Sequence, residues 1–480
     1  MRAPILSAKC LPEEVGIVSK PPENAFTHGP MPAIFARTAL PIIFVMGMNG
    51  LLTVADAVFL GVYVGPEALG AVTLMFPMYM LVVALATLVA SGMSSLLARH
   101  LGGQRLDAAK AVFTGAHGLA LAISVVLNVL FVLVGHQLVL LTAGGSAELA
   151  ALGEIYLRIT VLFSPLVFVL SVNSDALRNE GRVGLMAAMS LLVALANIGF
   201  NYVLIAVLDM GVAGSAYGTA MAQILALAII VVFRLRGQTV LRPQVLLAHS
   251  WVSGWGRILA LGAPQSLGFV GLALNAAAIV AALQLHGEGD YAVTISAYGI
   301  TTRVMTFVYL PLLGLGHAMQ TIAGNNYGAR DFGRTDASLK LTLGIALIYS
   351  LTSQVILVLF AAPIAGMFVS APAVINSVVR ITPMMTALFF LAGPLMMLAS
   401  YFQAIGQASR AAILGLSKPY LFALPLTFAL PLAFGETGVW LAGPMAEILL
   451  ALVAMVVLAQ TARSLGLRRG LFSAERVQPA

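Results

Sequence analysis

The amino-acid sequence predicts an all-α polytopic membrane protein: twelve transmembrane helices in two pseudo-symmetric six-helix bundles. Three observations carry that prediction. The chain is too apolar for water, its basic residues fall almost wholly on one side of the helices, and its landmarks recur at one offset.

Of the 480 residues, 60% are hydrophobic and only 9% are charged, and the mean hydropathy is +0.99. A soluble domain carries roughly 25% charged residues, so lipid is the solvent for most of this chain. A spanning helix needs about 20 residues. The apolar blocks predict helices over 34–60, 68–98, 108–134, 151–177, 184–208, 212–235, 257–285, 292–324, 336–360, 374–404, 411–433 and 437–463, with short connections that hold nearly all the charge. Before the first helix, Arg2, Pro4, Lys9, Glu13, Glu14, Pro21, Pro22 and Pro30 interrupt every apolar run. A secretory signal would need an unbroken stretch of ~7–15 apolar residues. Residues 1–33 therefore read as a flexible cytosolic tail. The single cysteine, Cys10, lies in it, which rules out an internal disulfide or a cysteine-based metal cluster.

Orientation follows from the basic residues, because cytoplasmic connections retain Lys and Arg. With the N-terminus inside, the inner side collects residues such as Arg99, Arg105 and Lys110, then Arg178 and Arg182, then Arg234, Arg236, Arg242 and Arg257. Arg330, Arg334, Lys340, Arg410, Lys418 and the two tails complete 22 of the 25 basic residues on that side; Arg158 and Arg380 fall outside, and Arg303 falls within the eighth helix. Both termini are thus expected in the cytosol. The net charge of +7 is accounted for by topology and does not imply nucleic acid.

The repeat appears in three places. Ala39-Leu40-Pro41 matches Gly262-Ala263-Pro264, Asn179-Glu180-Gly181-Arg182 matches Ala404-Ile405-Gly406-Gln407, and Met210-Gly211-Val212-Ala213-Gly214 matches Phe434-Gly435-Glu436-Thr437-Gly438, at offsets of 223 to 225. Six helices per repeat make the repeats parallel, with the substrate cleft between them. The expected organisation is a tail (1–33), a six-helix bundle (34–235), a basic amphipathic cytosolic linker (236–256), a second bundle (257–463) and a C-terminal tail (464–480).

An ATP-driven pump would need a Gly-Lys-Ser/Thr phosphate loop, yet no lysine here follows a glycine. A His-Glu-x-x-His zinc pattern and a Gly-x-Ser-x-Gly nucleophile elbow are also lacking. The sequence therefore predicts no enzyme, no cofactor and no metal centre. Its intramembrane ionisable residues are few, and each costs about 2.5–3.5 kcal/mol on insertion scales. Asp56 stands near the outer end of the first helix, with Asn49 two turns below on the same face. Asn197 and Asn201 share one face of the fifth helix at i, i+4, and Thr219 on the sixth lies at similar depth. Together these four point to a proton or cation site, against a bland alternative of a structural acid and interhelical amide bonds. Arg303 reads as reaching a carbonyl or acid inside the second bundle, and Glu447 is open between structure and function. Asp175, Arg178, Glu180 and Arg182 read as a mutual salt-bridge network. Met46, Met48, Met75, Met78 and Met80 suit an adaptable apolar cavity wall or ordinary core.

Taken in order, several strings resemble the multidrug and toxic compound extrusion (MATE) family along essentially all twelve helices. They are Ala55-Asp56-Ala57-Val58-Phe59-Leu60-Gly61, Ala176-Leu177-Arg178-Asn179-Glu180-Gly181-Arg182, Asn197-Ile198-Gly199-Phe200-Asn201, Met210-Gly211-Val212-Ala213-Gly214, Gly324-Asn325-Asn326-Tyr327-Gly328-Ala329 and Tyr401-Phe402-Gln403-Ala404-Ile405-Gly406. The resemblance, strongest on the DinF-like or MepA-like side, implies a V-shaped pair of lobes in a bacterial inner membrane. It implies export of drug-like or amphiphilic molecules by a monomer, against inward flow of protons or sodium ions. Family cation ligands match Asp56, Asn197, Asn201 and Thr219, and the family's helix-1 kink matches Pro41. Many relatives carry a second acid where this chain has Asn201. Another branch uses acids in helices 7 and 10; here helix 7 offers Asn275 and helix 10 offers none. Asn49, Met46, Met78 and Asn275 are the residues assigned to a substrate cavity.

Proton coupling is the expectation. A proton needs one carboxylate, whereas sodium, a possible occupant at Asp56, Asn197 and Asn201, wants several oxygens. Burial favours the neutral acid and a nearby cation favours the carboxylate, so the two compete. Two rival readings stand beside export. A lipid-intermediate flippase of the same superfamily would line its cleft with arginines, of which only Arg303 is a candidate. A membrane sensor or scaffold would need a sizeable soluble output domain.

Overall fold

A computed structural model describes residues 24–143, 146–237, 239–287, 290–465 and 471. Cys10, most of the expected N-terminal tail with Arg2, Lys9 and Lys20, and Arg468, Arg469 and Arg476 near the C-terminus lie outside the described residues. Apolar helices follow one another as α1 (Met31–Val64), α2 (Pro66–Gly102), α3 (Leu106–Thr142), α4 (Ala147–Leu162 and Ser164–Asn179), α5 (Val183–Val207) and α6 (Gly211–Leu235). The second series is α7 (Trp255–His286), α8 (Tyr291–Gly328), α9 (Phe332–Leu359), α10 (Pro372–Met385 and Phe389–Ala404), α11 (Ala408–Phe434) and α12 (Glu436–Ser464). Each expected helix has its counterpart here. The face where α1 begins and α12 ends is called the terminal face below; the opposite one is the far face.

Left-handed turns recur in register in the two series. Gly181 (φ +79°) and Gly406 (φ +85°) end α4 and α10, Gly211 and Gly435 (both φ +55°) precede the bodies of α6 and α12, and Gln104 (φ +55°) and Arg330 (φ +60°) follow α2 and α8. Behind Gly181 the Arg182 amide donates to Leu177, and behind Gly406 the Gln407 amide donates to Phe402, the 6→1 closure that satisfies late helical carbonyls.

Bends recur too, 48° in α4 and 50° in α10. A break frees backbone groups, each costing several kcal/mol in hydrocarbon. Asn128 of α3 donates to the Val161 carbonyl at 2.9 Å. Gln354 of α9 donates to the Ala387 carbonyl at 2.8 Å and accepts from the Phe390 amide at 3.0 Å. One amide side chain per half thus supplies what the broken ladder lost.

The halves meet through small residues near the terminal face. A Cβ on Gly92 of α2 would stand 2.0 Å from the Ile258 carbonyl of α7, and one on Gly262 of α7 1.8 Å from the Leu88 carbonyl of α2. Only glycine permits that approach. Gly102 and Gly328 make equally close crossings with Asn325 and Arg99 between α2 and α8. Phe35 and Ile42 of α1 are buried in one cluster with Leu315 and Met319 of α8 and Phe402 of α10.

Four expectations change. Residues 24–30, just before α1, are held against the second half: Asn24 donates to Asn325 at 2.8 Å, Phe26 is 3% exposed, and Arg334 donates to the Gly29 carbonyl. Residues 24–30 are therefore anchored by an aromatic and by amide bonds that no apolar run advertises. Lys418 is not in a connection but within α11, where it ion-pairs with Glu447 of α12; a buried acid compensates it. Of the expected network at Asp175, Arg178, Glu180 and Arg182, the Arg178–Asp175 pair is present at 2.8 Å, while Glu180 turns outside the group to Arg234 at 2.9 Å. Arg303 reaches neither carbonyl nor acid among the described residues; it is exposed on α8.

Candidate functional site

Asp56 lies one turn before a π-helical segment, Leu60–Val64, that closes α1. Asn201 immediately precedes a second one, Tyr202–Val207, in α5. Wide turns of this kind are frequent at functional positions. The side chains meet: Asn201 Nδ2 donates to Asp56 Oδ1 at 2.6 Å and to Asn197 Oδ1 at 3.0 Å. Asn197 Nδ2 in turn donates to Thr219 Oγ1 of α6 at 2.8 Å. A single hydrogen-bonded chain, Thr219–Asn197–Asn201–Asp56, therefore joins three helices of the first half.

Both asparagines are wholly buried and Asp56 is partly so. Asn201 Oδ1 is buried and lacks a hydrogen-bond partner, an orphaned acceptor beside the acid. The fit depends on Gly218, because a Cβ there would stand 2.1 Å from Asn201 Oδ1. Gly218 adjoins Thr219 in the sequence, but nothing in its string distinguished it from the other glycines of α6. Among the described residues no group of three or more His, Cys, Asp or Glu side chains is placed to hold a metal ion. An ion at Asp56 would be held by one carboxylate and neutral oxygens.

The other candidates do not join this chain. Pro41 lies inside α1, on the terminal-face side of Asp56. Asn49 is exposed, and its carbonyl accepts from Thr53 at 3.2 Å. Met46 and Met78 are half-buried against separate core clusters. Met75 is fully buried and fills space over Gly153, so it is core. Asn275 belongs to the second half, where its amide donates to the carbonyls of Gly271 at 2.7 Å and Pro419 at 3.0 Å. The latter falls in a third π-helical segment, Ser417–Ala423. Lys418 lies in that segment, and its ion pair with Glu447 escaped the sequence reading because the partners are on different helices.

Comparison with known proteins agrees with this architecture. The MatE family model matches twice, over residues 41–203 and 266–429, one match per half. Multidrug export protein MepA of Staphylococcus aureus is 24% identical over 443 residues, covering 90% of this chain and 94% of that protein. MepA of Staphylococcus saprophyticus is 23% identical over 433 residues, covering 87% and 91%. Among solved structures, a MATE protein in its straight conformation superposes with a TM-score of 0.81 at 22% identity, over 92% of this chain and 99% of that one. An outward-facing multidrug resistance MATE transporter gives 0.80 at 22% identity, over 90% and 96%. With its two family-model matches covering more than half of its length, the chain belongs to the MATE family of efflux transporters.

Proposed function

We propose that this protein exports drug-like or amphiphilic organic molecules from the cytoplasm across a bacterial inner membrane, in exchange for protons, with both termini cytosolic. The cargo class follows the relatives named multidrug export protein. Orientation follows the basic residues gathered at the terminal face, Arg99, Arg178 and Arg334 among them.

The proton reading rests on the chain at Asp56. The Asn201 amide nitrogen stands between two oxygens, Asp56 Oδ1 and Asn197 Oδ1. A donor fills the position where a desolvated sodium ion would need acceptors. A proton requires no such rearrangement, only a carboxylate that can be neutralised. Loss of the charge on Asp56 weakens a charge-assisted bond to Asn201, and bonds to ionised groups are roughly twice as strong as neutral ones. That change falls beside the π-helical ends of α1 and α5, so protonation can reshape α1 above Pro41. Rigid-body rocking of parallel halves then alternates access.

The test is ethidium efflux in everted vesicles with pH and sodium gradients imposed separately. Efflux driven by the pH gradient in sodium-free medium, and collapsed by a proton ionophore, is the expected result. Export that survives the ionophore but stops without sodium would make the four residues a sodium site.

A further inference from the structure

A shallow, open-sided cavity of about 650 Å³ lies between α7 and α8 in the second half, on the far-face side. That volume suits a drug-sized body. Ala276, Ala277, Val280 and Ala281 form an apolar wall, and Tyr298, Thr302 and Arg303 face it from α8. Thr302 Oγ1 is buried beside the Tyr298 phenol, which engages it. Arg303 is exposed and makes no hydrogen bond or ion pair among the described residues.

The position of Arg303 is what gives this cavity a role. Residues 303, 307 and 310 share one helical face. A Cβ on Gly50 of α1 would stand 3.6 Å from Leu310 and 3.7 Å from Phe307, so that face looks across at the first half. Arg303, one turn nearer the far face, therefore borders the cleft between halves. A guanidinium within a spanning helix is costly, and such residues pair with a partner or mark a substrate path. Among the described residues no partner is built in. The first half holds an acid at comparable depth, Asp56, already engaged by Asn201.

We propose that the α7–α8 cavity is a subsite for the anionic group of an amphiphile, with the acidic head on Arg303 and the apolar body along the alanine wall. The guanidinium offers a planar fork that matches a carboxylate or phosphate. The proposal names a cargo class for the cleft and rests on the export reading given above. The same chemistry is offered by a free acidic amphiphile and by an anionic lipid of the bilayer.

The experiment measures binding of three ligands with one chain length, decanoate, decanol and decyltrimethylammonium, to the full-length protein in phosphatidylcholine nanodiscs, with empty discs as blank. Wild type is expected to prefer decanoate to both others. Arg303→Gln should weaken decanoate at least tenfold relative to decanol, while Arg303→Lys retains most of the preference and both variants keep the wild-type melting midpoint. Repeating the titration with phosphatidylglycerol in the discs separates the sources: unchanged decanoate affinity identifies the free amphiphile, and weakened affinity identifies the bilayer lipid. Equal decanoate binding by wild type and Arg303→Gln, or no preference over decyltrimethylammonium, overturns the subsite. Wild-type ethidium efflux is read in parallel. If it and pH-gradient-driven decanoate efflux from the same vesicles are both absent while the decanoate preference persists, the export reading fails and the subsite stands.

Discussion

Arg178 and Gln403, 225 positions apart, hold equivalent places at the ends of α4 and α10, and each reaches across to the other half of the molecule. Arg178 donates to Thr321 of α8 at 3.1 Å and to Ser94 of α2 at 2.9 Å. Gln403 donates to Ser91 of α2 at 2.8 Å and to the Leu261 carbonyl of α7 at 2.7 Å. Its own carbonyl accepts from Ser95. Buried polar contacts thus seal the terminal face reciprocally. A typical hydrogen bond contributes only about 0.5–1.5 kcal/mol net, so a seal of a few such bonds can hold one state and still open within a transport cycle.

The two members of this seal should not be equally costly to remove. Arg178→Ala strands Asp175, its partner at 2.8 Å, in a largely buried position. Breaking one side of a buried pair costs about 3–5 kcal/mol. Gln403→Ala removes only neutral bonds and should cost about 1–3 kcal/mol. The melting midpoint in detergent orders them: Arg178→Ala is expected to fall further, and the double change Asp175→Asn, Arg178→Ala to recover part of the loss. Equal shifts would show that the ion pair adds nothing.

Gly92→Ala places a methyl against the Ile258 carbonyl, where no flexible side chain can yield. The halves must then separate at the terminal face. Spin labels on terminal-face helix ends of opposite halves should report a longer distance in this variant than in wild type. An unchanged distribution would mean that the crossing is not part of the seal.

Asp56→Asn should abolish uphill efflux while leaving expression and membrane insertion intact, because an amide cannot cycle a proton. Asn201→Asp places a second carboxylate 2.6 Å from the first, at the present nitrogen position. Two adjacent acids attract a metal ion or share one proton, so this variant should gain sodium dependence. Efflux by Asp56→Asn at the wild-type rate would remove the residue from the coupling step.

Topology is tested by one labelled position. With Cys10→Ser as background, Gly237→Cys sits beside the end of α6 on the terminal face, near Arg242. An impermeant thiol reagent should leave it unmodified in intact cells and modify it in everted vesicles. Labelling from outside would invert the assignment of both termini.

The sequence alone determined the class, the twelve helices, the repeat and the membership of the Asp56 chain. These depend on quantities that act locally or by count: apolar length against bilayer thickness, charge on alternate connections, and i, i+4 spacing on one helix. Asn197 and Asn201 were legible as a pair because one helix carries both. Other features depended on where separate helices come to rest. Gly218 matters only because Asn201 lies against it, and Lys418 looked like a loop charge until α12 brought Glu447 to it. Arg178 and Glu180, neighbours in sequence, take different partners because Arg234 approaches one and Thr321 the other. Arg303, expected to find a partner, was left facing a cavity. A buried polar group takes the partner that packing brings within about 3 Å, and that choice is made by the tertiary structure, not by the string of residues around it.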